Sequence, residues 1–140
     1  MKDRAHVLLV RPKEGPDAGL WSIPGELVND GESVRDCAIR GVKDNLGLDT
    51  DPKMTLFICE RVQLEDHRIG VFVLSEPVVE LGKEPQLSGS YGKYEEAEWV
   101  DVRTLGEIQR TQGMSEFAAD AFFKFSNFLK SQAPTSGRVN

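Results

Sequence analysis

The chain has 140 residues and a formal net charge of −6, and 39% of its residues are hydrophobic while 29% are charged. This length suffices to bury one sizeable core, and the acidic balance argues against general affinity for a nucleic-acid backbone. No apolar run is long enough to cross a bilayer and the N-terminus lacks the layout of a secretion signal, so we expect a cytoplasmic protein that binds neither nucleic acid nor membrane.

The first half of the chain predicts a strand, a loop and a capped helix. The apolar run over residues 5–10 is typical of a buried strand, and residues 11–20 are rich in proline, glycine and charge, which predicts a loop. A short strand is expected over residues 26–29. Ser33 is a good N-cap and Gly47 a natural stop, so a helix is predicted between them.

The second half of the chain predicts three more strands and a closing helix. In chain order, these are strands over residues 54–64, 68–74 and 97–102 and a helix over residues 115–130. A loop rich in glycine, serine and proline is expected over residues 76–92. Residues 132–140 have no core-forming side chains and are predicted to form a flexible tail, so residues 1–131 are expected to form one domain.

The stretch from Gly19 to Leu48 resembles the sequence motif of the Nudix hydrolase family. That motif reads Gly, five residues, Glu, seven residues, Arg-Glu, an aliphatic, any residue, Glu-Glu, any residue, Gly and an aliphatic. The positions that match are Glu32, Arg40, Val42, Gly47 and Leu48. The sequence GLWSIPG before the motif is also similar to the family.

The resemblance implies an α+β fold in which a mixed, curved β-sheet lies between helices in an α/β/α sandwich. A glutamate-rich segment before Trp99 and a closing amphipathic helix are usual in the family. The family usually places a further strand before the one at residues 5–10, and only a few residues precede it here. We therefore expect the first strand to be missing or replaced by another segment.

Four positions depart from the family's motif. Glu26 stands where the motif opens with glycine, and Gly41 stands where the glutamate follows the arginine. The paired glutamates are replaced by Asp44 and Asn45. Gly41 costs about 1 kcal/mol of helix stability relative to alanine, which suggests close packing or a lost function at this position.

The resemblance implies hydrolysis of a nucleoside diphosphate linked to another moiety, with Mg²⁺ or Mn²⁺ as cofactor. These ions require oxygen ligands, supplied by carboxylates one helical turn apart. Motif matching suggests Glu32, Asp44 and Asn45 as ligands of a weak metal site, and Glu32 and Asp44 as catalytic residues. The resemblance also makes Glu96, from the later glutamate-rich segment, a catalytic candidate. Arg40 and Gly47 are interpreted as structural. A brace between Glu32 and Arg40 is an equal alternative to a metal role for Glu32.

Four residues are candidates for substrate binding. Arg11 lies at the end of its strand, where it can face a phosphate, and Gly25 belongs to the preserved proline-glycine loop. Glu26 is an additional acid beside the motif. Trp21 is a candidate for base stacking, although a place in the core is the alternative. The expected partner is a nucleotide-type small molecule, and the family resemblance also suggests a homodimer.

Two functions follow from these residues. The first is a Nudix-like hydrolase whose activity is weak or altered because several acids are missing. The second is a catalytically inactive Nudix-fold module that binds a nucleotide or has a regulatory role. A third hypothesis is a scaffold that assembles through the sheet edge left by the absent first strand.

Overall fold

The computed structural model describes residues 6–77 and 84–132. Its strands are β1 (His6–Pro12), β2 (Thr50–Gln63), β3 (Asp66–Pro77) and β4 (Tyr94–Asp101). Its helices are α1 (Val34–Leu46), α2 (Leu105–Thr111) and α3 (Glu116–Gln132), with a 3-10 turn over Val102–Thr104. No helix within these ranges combines the length and the apolar character that crossing a bilayer requires.

The strands of the described residues form two antiparallel pairs, β1 with β4 and β2 with β3. The segment after the first loop extends this arrangement, because Ser22 bridges Val10 in the antiparallel sense and Trp21 bridges Met114 in the parallel sense. Parallel and antiparallel contacts are therefore both present. The predicted α+β class is confirmed.

The apolar sequence of β1 is explained by burial on both of its faces. Val7 and Leu9 pack with Trp21 and the inner face of α3, whereas Val10 packs with Leu46 of α1. Leu9 and Leu46 are both fully buried, and each burial contributes about 2 kcal/mol. One strand thus connects the core under α3 to the core under α1, which places helices on opposite sides of it.

The ends of α1 are set by local chemistry that the sequence predicts. The Ser33 hydroxyl accepts a hydrogen bond from the backbone N–H of Asp36 at 3.0 Å, and this caps the N-terminus. Gly47 adopts a left-handed conformation with φ 67°, and its N–H donates to the carbonyl of Lys43. The predicted helix between Ser33 and Gly47 is confirmed.

Two details of the predicted elements are wrong. Residues 26–29 form no strand: their carbonyls bind α1 side chains instead, since Arg40 donates to the Leu27 carbonyl at 2.8 Å. The helix α2 was not predicted, because seven residues with few apolar positions give a weak periodic signal. The hairpin of β2 and β3 is confirmed, although both strands are longer than predicted.

Three predictions concern residues outside the described ranges. The replacement of the first strand concerns residues 1–5, part of the predicted loop falls on residues 78–83, and the predicted tail falls on residues 133–140. Gln132, which was assigned to the tail, is the last residue of α3.

Candidate functional site

An arginine-carboxylate pair holds the loop after Gly25 to α1. Arg40 donates from Nε to Glu32 Oε2 at 2.7 Å and from Nη2 to Glu32 Oε1 at 3.0 Å. The backbone N–H of Asn29 donates to Glu32 Oε1 as well, at 3.1 Å. Both carboxylate oxygens of Glu32 are therefore engaged in charge-assisted hydrogen bonds that join loop and helix. This geometry supports the brace between Glu32 and Arg40.

The brace has a consequence for stability at low pH. Hydrogen bonds from Arg40 and the Asn29 backbone lower the pKa of Glu32 from 4.5 to about 2. Because the folded pKa is depressed, the stabilisation is present above the unfolded pKa and is lost as pH falls through the folded pKa. We expect Glu32→Gln to flatten the stability profile between about pH 5 and about pH 2, measured by denaturant unfolding.

The substitution Arg40→Gln, on the other side of the ion pair, is a second test of this prediction. It should remove the same pH dependence, since the pKa of Glu32 is lowered chiefly by the Arg40 hydrogen bonds. A profile as steep as that of the unaltered protein in either variant would contradict the brace.

The side chain of Glu26 lies over Gly41 of α1. A Cβ atom placed at Gly41 would be 2.9 Å from the Cβ of Glu26, a separation that real Cβ atoms essentially never show. Gly41 is buried, so the absence of a side chain on the helix makes room for the loop residue. The close packing that the sequence suggested for Gly41 is present, and its partner Glu26 is another of the four departures from the motif.

The Glu26 carboxylate accepts hydrogen bonds from two other parts of the chain, α1 and the residue just before β4. Asn45 Nδ2 donates to Glu26 Oε2 at 3.0 Å, and Lys93 Nζ donates to the same oxygen at 3.1 Å. Lys93 also donates to the carbonyl of Gly25 at 2.7 Å. Burial raises the pKa of Glu26, but the hydrogen bonds from Asn45, Leu27 and Lys93 outweigh it and leave the pKa below its usual value.

We call Gly25, Glu26, Gly41, Asn45 and Lys93 the Glu26 cluster. Three of its members, Gly25, Glu26 and Asn45, were candidate site residues, and the structure brings them together. Lys93 was not among the candidates, because a lysine just before a strand carries no signal of a contact 67 residues away. Tyr94 also contacts the cluster, because the backbone N–H of Gly25 donates to the hydroxyl of this buried residue at 3.2 Å.

The remaining motif residues of α1 lie at its C-terminal end. Asp44 is exposed and has no hydrogen-bond partner within residues 6–77 and 84–132. Gly47 is buried beneath Gln86 and Tyr91, and a Cβ there would lie 2.9 Å from Gln86 Cγ. This geometry supports a structural role for Gly47.

A separate group joins Arg11, Trp21 and Glu96 where β1 and β4 pair. Arg11 Nη1 donates to Glu96 Oε1 at 3.1 Å, and the guanidinium lies 4.6 Å from the centre of the Trp21 ring. Trp21 is 3% exposed, and its Nε1 donates to Gln112 Oε1 at 3.0 Å. A ring so deeply buried offers little surface to a ligand. The structure places Trp21 in the core, and its stacking role stays a prediction.

The candidate residues thus fall into four places: Glu32 with Arg40, the Glu26 cluster, the C-terminal end of α1 with Asp44 and Gly47, and Arg11 with Trp21 and Glu96. No group of three or more histidine, cysteine, aspartate or glutamate side chains in the described residues is arranged to hold a metal ion. The Glu26 cluster contains one carboxylate, and a lysine ammonium already binds it.

The comparison with family models and the comparison with solved structures agree with each other. A family model described as NUDIX domain matches residues 1–121. The structure is similar to the MutT NUDIX hydrolase from Burkholderia pseudomallei, with a TM-score of 0.73, 20% identity, and coverage of 89% of this chain and 91% of that one. No curated protein matched the sequence significantly.

Two further solved structures are similar in fold. An ADP-ribose pyrophosphatase from Streptococcus suis has a TM-score of 0.61 at 19% identity, over 95% of this chain and 87% of that one. The NUDIX domain of Shewanella oneidensis NrtR, solved in complex with ADP ribose, has a TM-score of 0.65 at 15% identity, over 91% of this chain and 80% of that one.

Proposed function

The chain belongs to the NUDIX domain family, and on that premise we propose that it binds a nucleoside diphosphate derivative and hydrolyses the phosphoanhydride slowly. One observation carries the proposal: the loop of residues 25–32 is braced against α1, while the adjoining Glu26 cluster contains a single carboxylate. The first feature keeps the loop in place to receive a ligand. The second limits catalysis.

Similar structures support the choice of ligand class. One of them is an ADP-ribose pyrophosphatase, and another was solved in complex with ADP ribose. We propose ADP-ribose as the first probe, because its diphosphate is the group that the family's activity requires. Specificity for the rest of the ligand would depend on the loops at residues 11–20 and 84–92.

The described residues do not fit the carboxylate cluster that a tightly held Mg²⁺ or Mn²⁺ needs. Gly41 supplies no ligand, Asn45 uses its amide N–H on Glu26, and both oxygens of Glu32 accept from Arg40. Asp44 is the one acid of α1 left for an ion at this end of the helix. A weak metal requirement that depends on Asp44 is therefore part of the proposal.

A second candidate function is binding without turnover. It is favoured by Lys93, whose ammonium neutralises the Glu26 carboxylate and so removes a free negative group from the site. In this reading Glu26 and Asn45 shape the binding surface and take no part in hydrolysis. The two candidates differ in one measurable property, the release of product.

The test is an assay of ADP-ribose with Mg²⁺ or with Mn²⁺, combined with calorimetric binding of the same compound. We expect measurable binding and slow, metal-dependent release of products, and we expect Asp44→Asn to abolish the release. Binding without release in either metal would favour the second candidate. Rapid turnover by the unaltered protein, or no binding under any condition, would contradict the proposal.

A further inference from the structure

Among the residues that the structure describes, Lys93 donates two hydrogen bonds inside the Glu26 cluster and has one further N–H for another acceptor. An ammonium group has three N–H donors, and the described residues offer Lys93 two oxygen acceptors, the Gly25 carbonyl and Glu26 Oε2. The Lys93 side chain is 37% exposed and that of Glu26 is 25% exposed. The ion pair therefore reaches the surface, where a ligand oxygen can approach the third N–H.

Relative to the family motif, glycine and glutamate are swapped between positions 26 and 41. This swap removes the reason for a metal in ligand binding. A motif with glutamates at positions 41, 44 and 45 would present three negative charges, and a diphosphate could approach them only with cations between. Here the same positions are Gly41, Asp44 and Asn45, which leaves one exposed carboxylate. The carboxylate of Glu26 is balanced by the ammonium of Lys93 at 3.1 Å.

From this geometry we infer that the ammonium group of Lys93 binds the diphosphate of the ligand without a divalent ion. The inference rests on the proposed function, since it names how the same ligand class is held. A phosphate oxygen would accept the third N–H of Lys93, while Glu26 and the Gly25 carbonyl keep the ammonium in position. Charge-assisted hydrogen bonds of this kind are about twice as strong as neutral ones.

Gly41 contributes to the position of the ion pair between Glu26 and Lys93. The backbone of α1 lets the Cβ of Glu26 approach because Gly41 has no side chain. Glu26 in turn brings its carboxylate within reach of Asn45 in α1 and of Lys93 just before β4. The two departures from the family motif are therefore complementary.

The experiment is calorimetric titration of the full chain with ADP-ribose, once with excess EDTA and once with Mg²⁺. We expect the dissociation constants to agree within about twofold, and Lys93→Met to weaken binding in EDTA by about tenfold or more. Lys93→Arg should retain most of the affinity, since it keeps the positive charge and the N–H donors. Thermal unfolding of each variant verifies that it is folded.

Lys124→Met is the matched control. Lys124 resembles Lys93 in its surroundings: it is 39% exposed, lies 3.3 Å from Asp120, and donates to the carbonyl of Ile58. It belongs to α3, away from the Glu26 cluster, so its loss should leave the affinity for ADP-ribose unchanged.

The outcomes separate this inference from the proposed function. Binding that requires Mg²⁺ would overturn the role of Lys93 and leave the proposed function in place. Equal affinity of Lys93→Met and the unaltered protein in EDTA would also overturn it. If ADP-ribose does not bind with or without Mg²⁺, the proposed function itself fails.

Discussion

Combining Glu26→Gly, Gly41→Glu and Asn45→Glu is expected to raise the rate of ADP-ribose hydrolysis by about 100-fold or more, equivalent to about 3 kcal/mol of transition-state stabilisation. The triple variant would have acids at positions 41, 44 and 45, which share one face of α1 because they are three and four residues apart. It would also have the glycine with which the family motif opens. Product release in Mg²⁺ or Mn²⁺ is the measurement.

The substitution at Glu26 is essential to this design. With Glu26 retained, the Cβ of a glutamate at position 41 would lie 2.9 Å from the Cβ of Glu26, an atom fixed by the backbone of the loop. The double variant Gly41→Glu with Asn45→Glu should therefore lose about 1–3 kcal/mol of unfolding free energy and gain little activity. Equal activity of the double and triple variants would contradict the packing between Glu26 and Gly41.

A smaller pair of variants isolates that packing from any effect of charge. Gly41→Ala should destabilise the unaltered protein, because the added methyl group meets Glu26. In a Glu26→Gly background the same change should stabilise α1 by up to about 1 kcal/mol, the usual difference between glycine and alanine in a helix. A double-mutant cycle by denaturant unfolding measures this reversal of sign.

Most of the fold could be predicted because its signals are local. The ends of α1 depend on Ser33 and Gly47, which act on backbone groups a few residues away. The apolar run of β1 predicts burial whatever its neighbours are. By contrast, residues 26–29 have the composition of a strand, but a strand also needs a partner. Here α1 binds their backbone instead, and no local pattern reports that.

The site could be predicted only in part for the same reason. Matching the motif placed Glu32 and Arg40 together, and the structure has the two in contact. It also identified the departures at Glu26 and Gly41 but did not connect the two. Their contact, and the arrival of Lys93 from residues just before β4, depend on how distant segments pack. The sequence alone shows that acids of the motif are missing. It does not show the ion pair between Glu26 and Lys93, which only the packing of distant segments forms.

Trp21→Ala is expected to cost about 3–5 kcal/mol of unfolding free energy, the usual range for removing a buried large aromatic residue. Trp21 is 3% exposed in the core under α3, and its backbone binds the segment before α3 through Gly113 and Ser115. The variant also removes the indole N–H, so Gln112 Oε1 loses its hydrogen-bond donor. Chemical denaturation should therefore show a much lower midpoint for this variant.

Phe123→Ala is the matched control, because Phe123 is an aromatic residue of α3 that is 68% exposed. It should change the unfolding free energy by less than about 0.5 kcal/mol. If Trp21→Ala instead left stability near that of the control but weakened ADP-ribose binding, Trp21 would be a ligand-stacking residue, and the core position described for it would be contradicted. Because the ring packs between β1 and α3, we expect the variant to lose unfolding free energy. The affinity of the folded molecules for ADP-ribose should be largely retained.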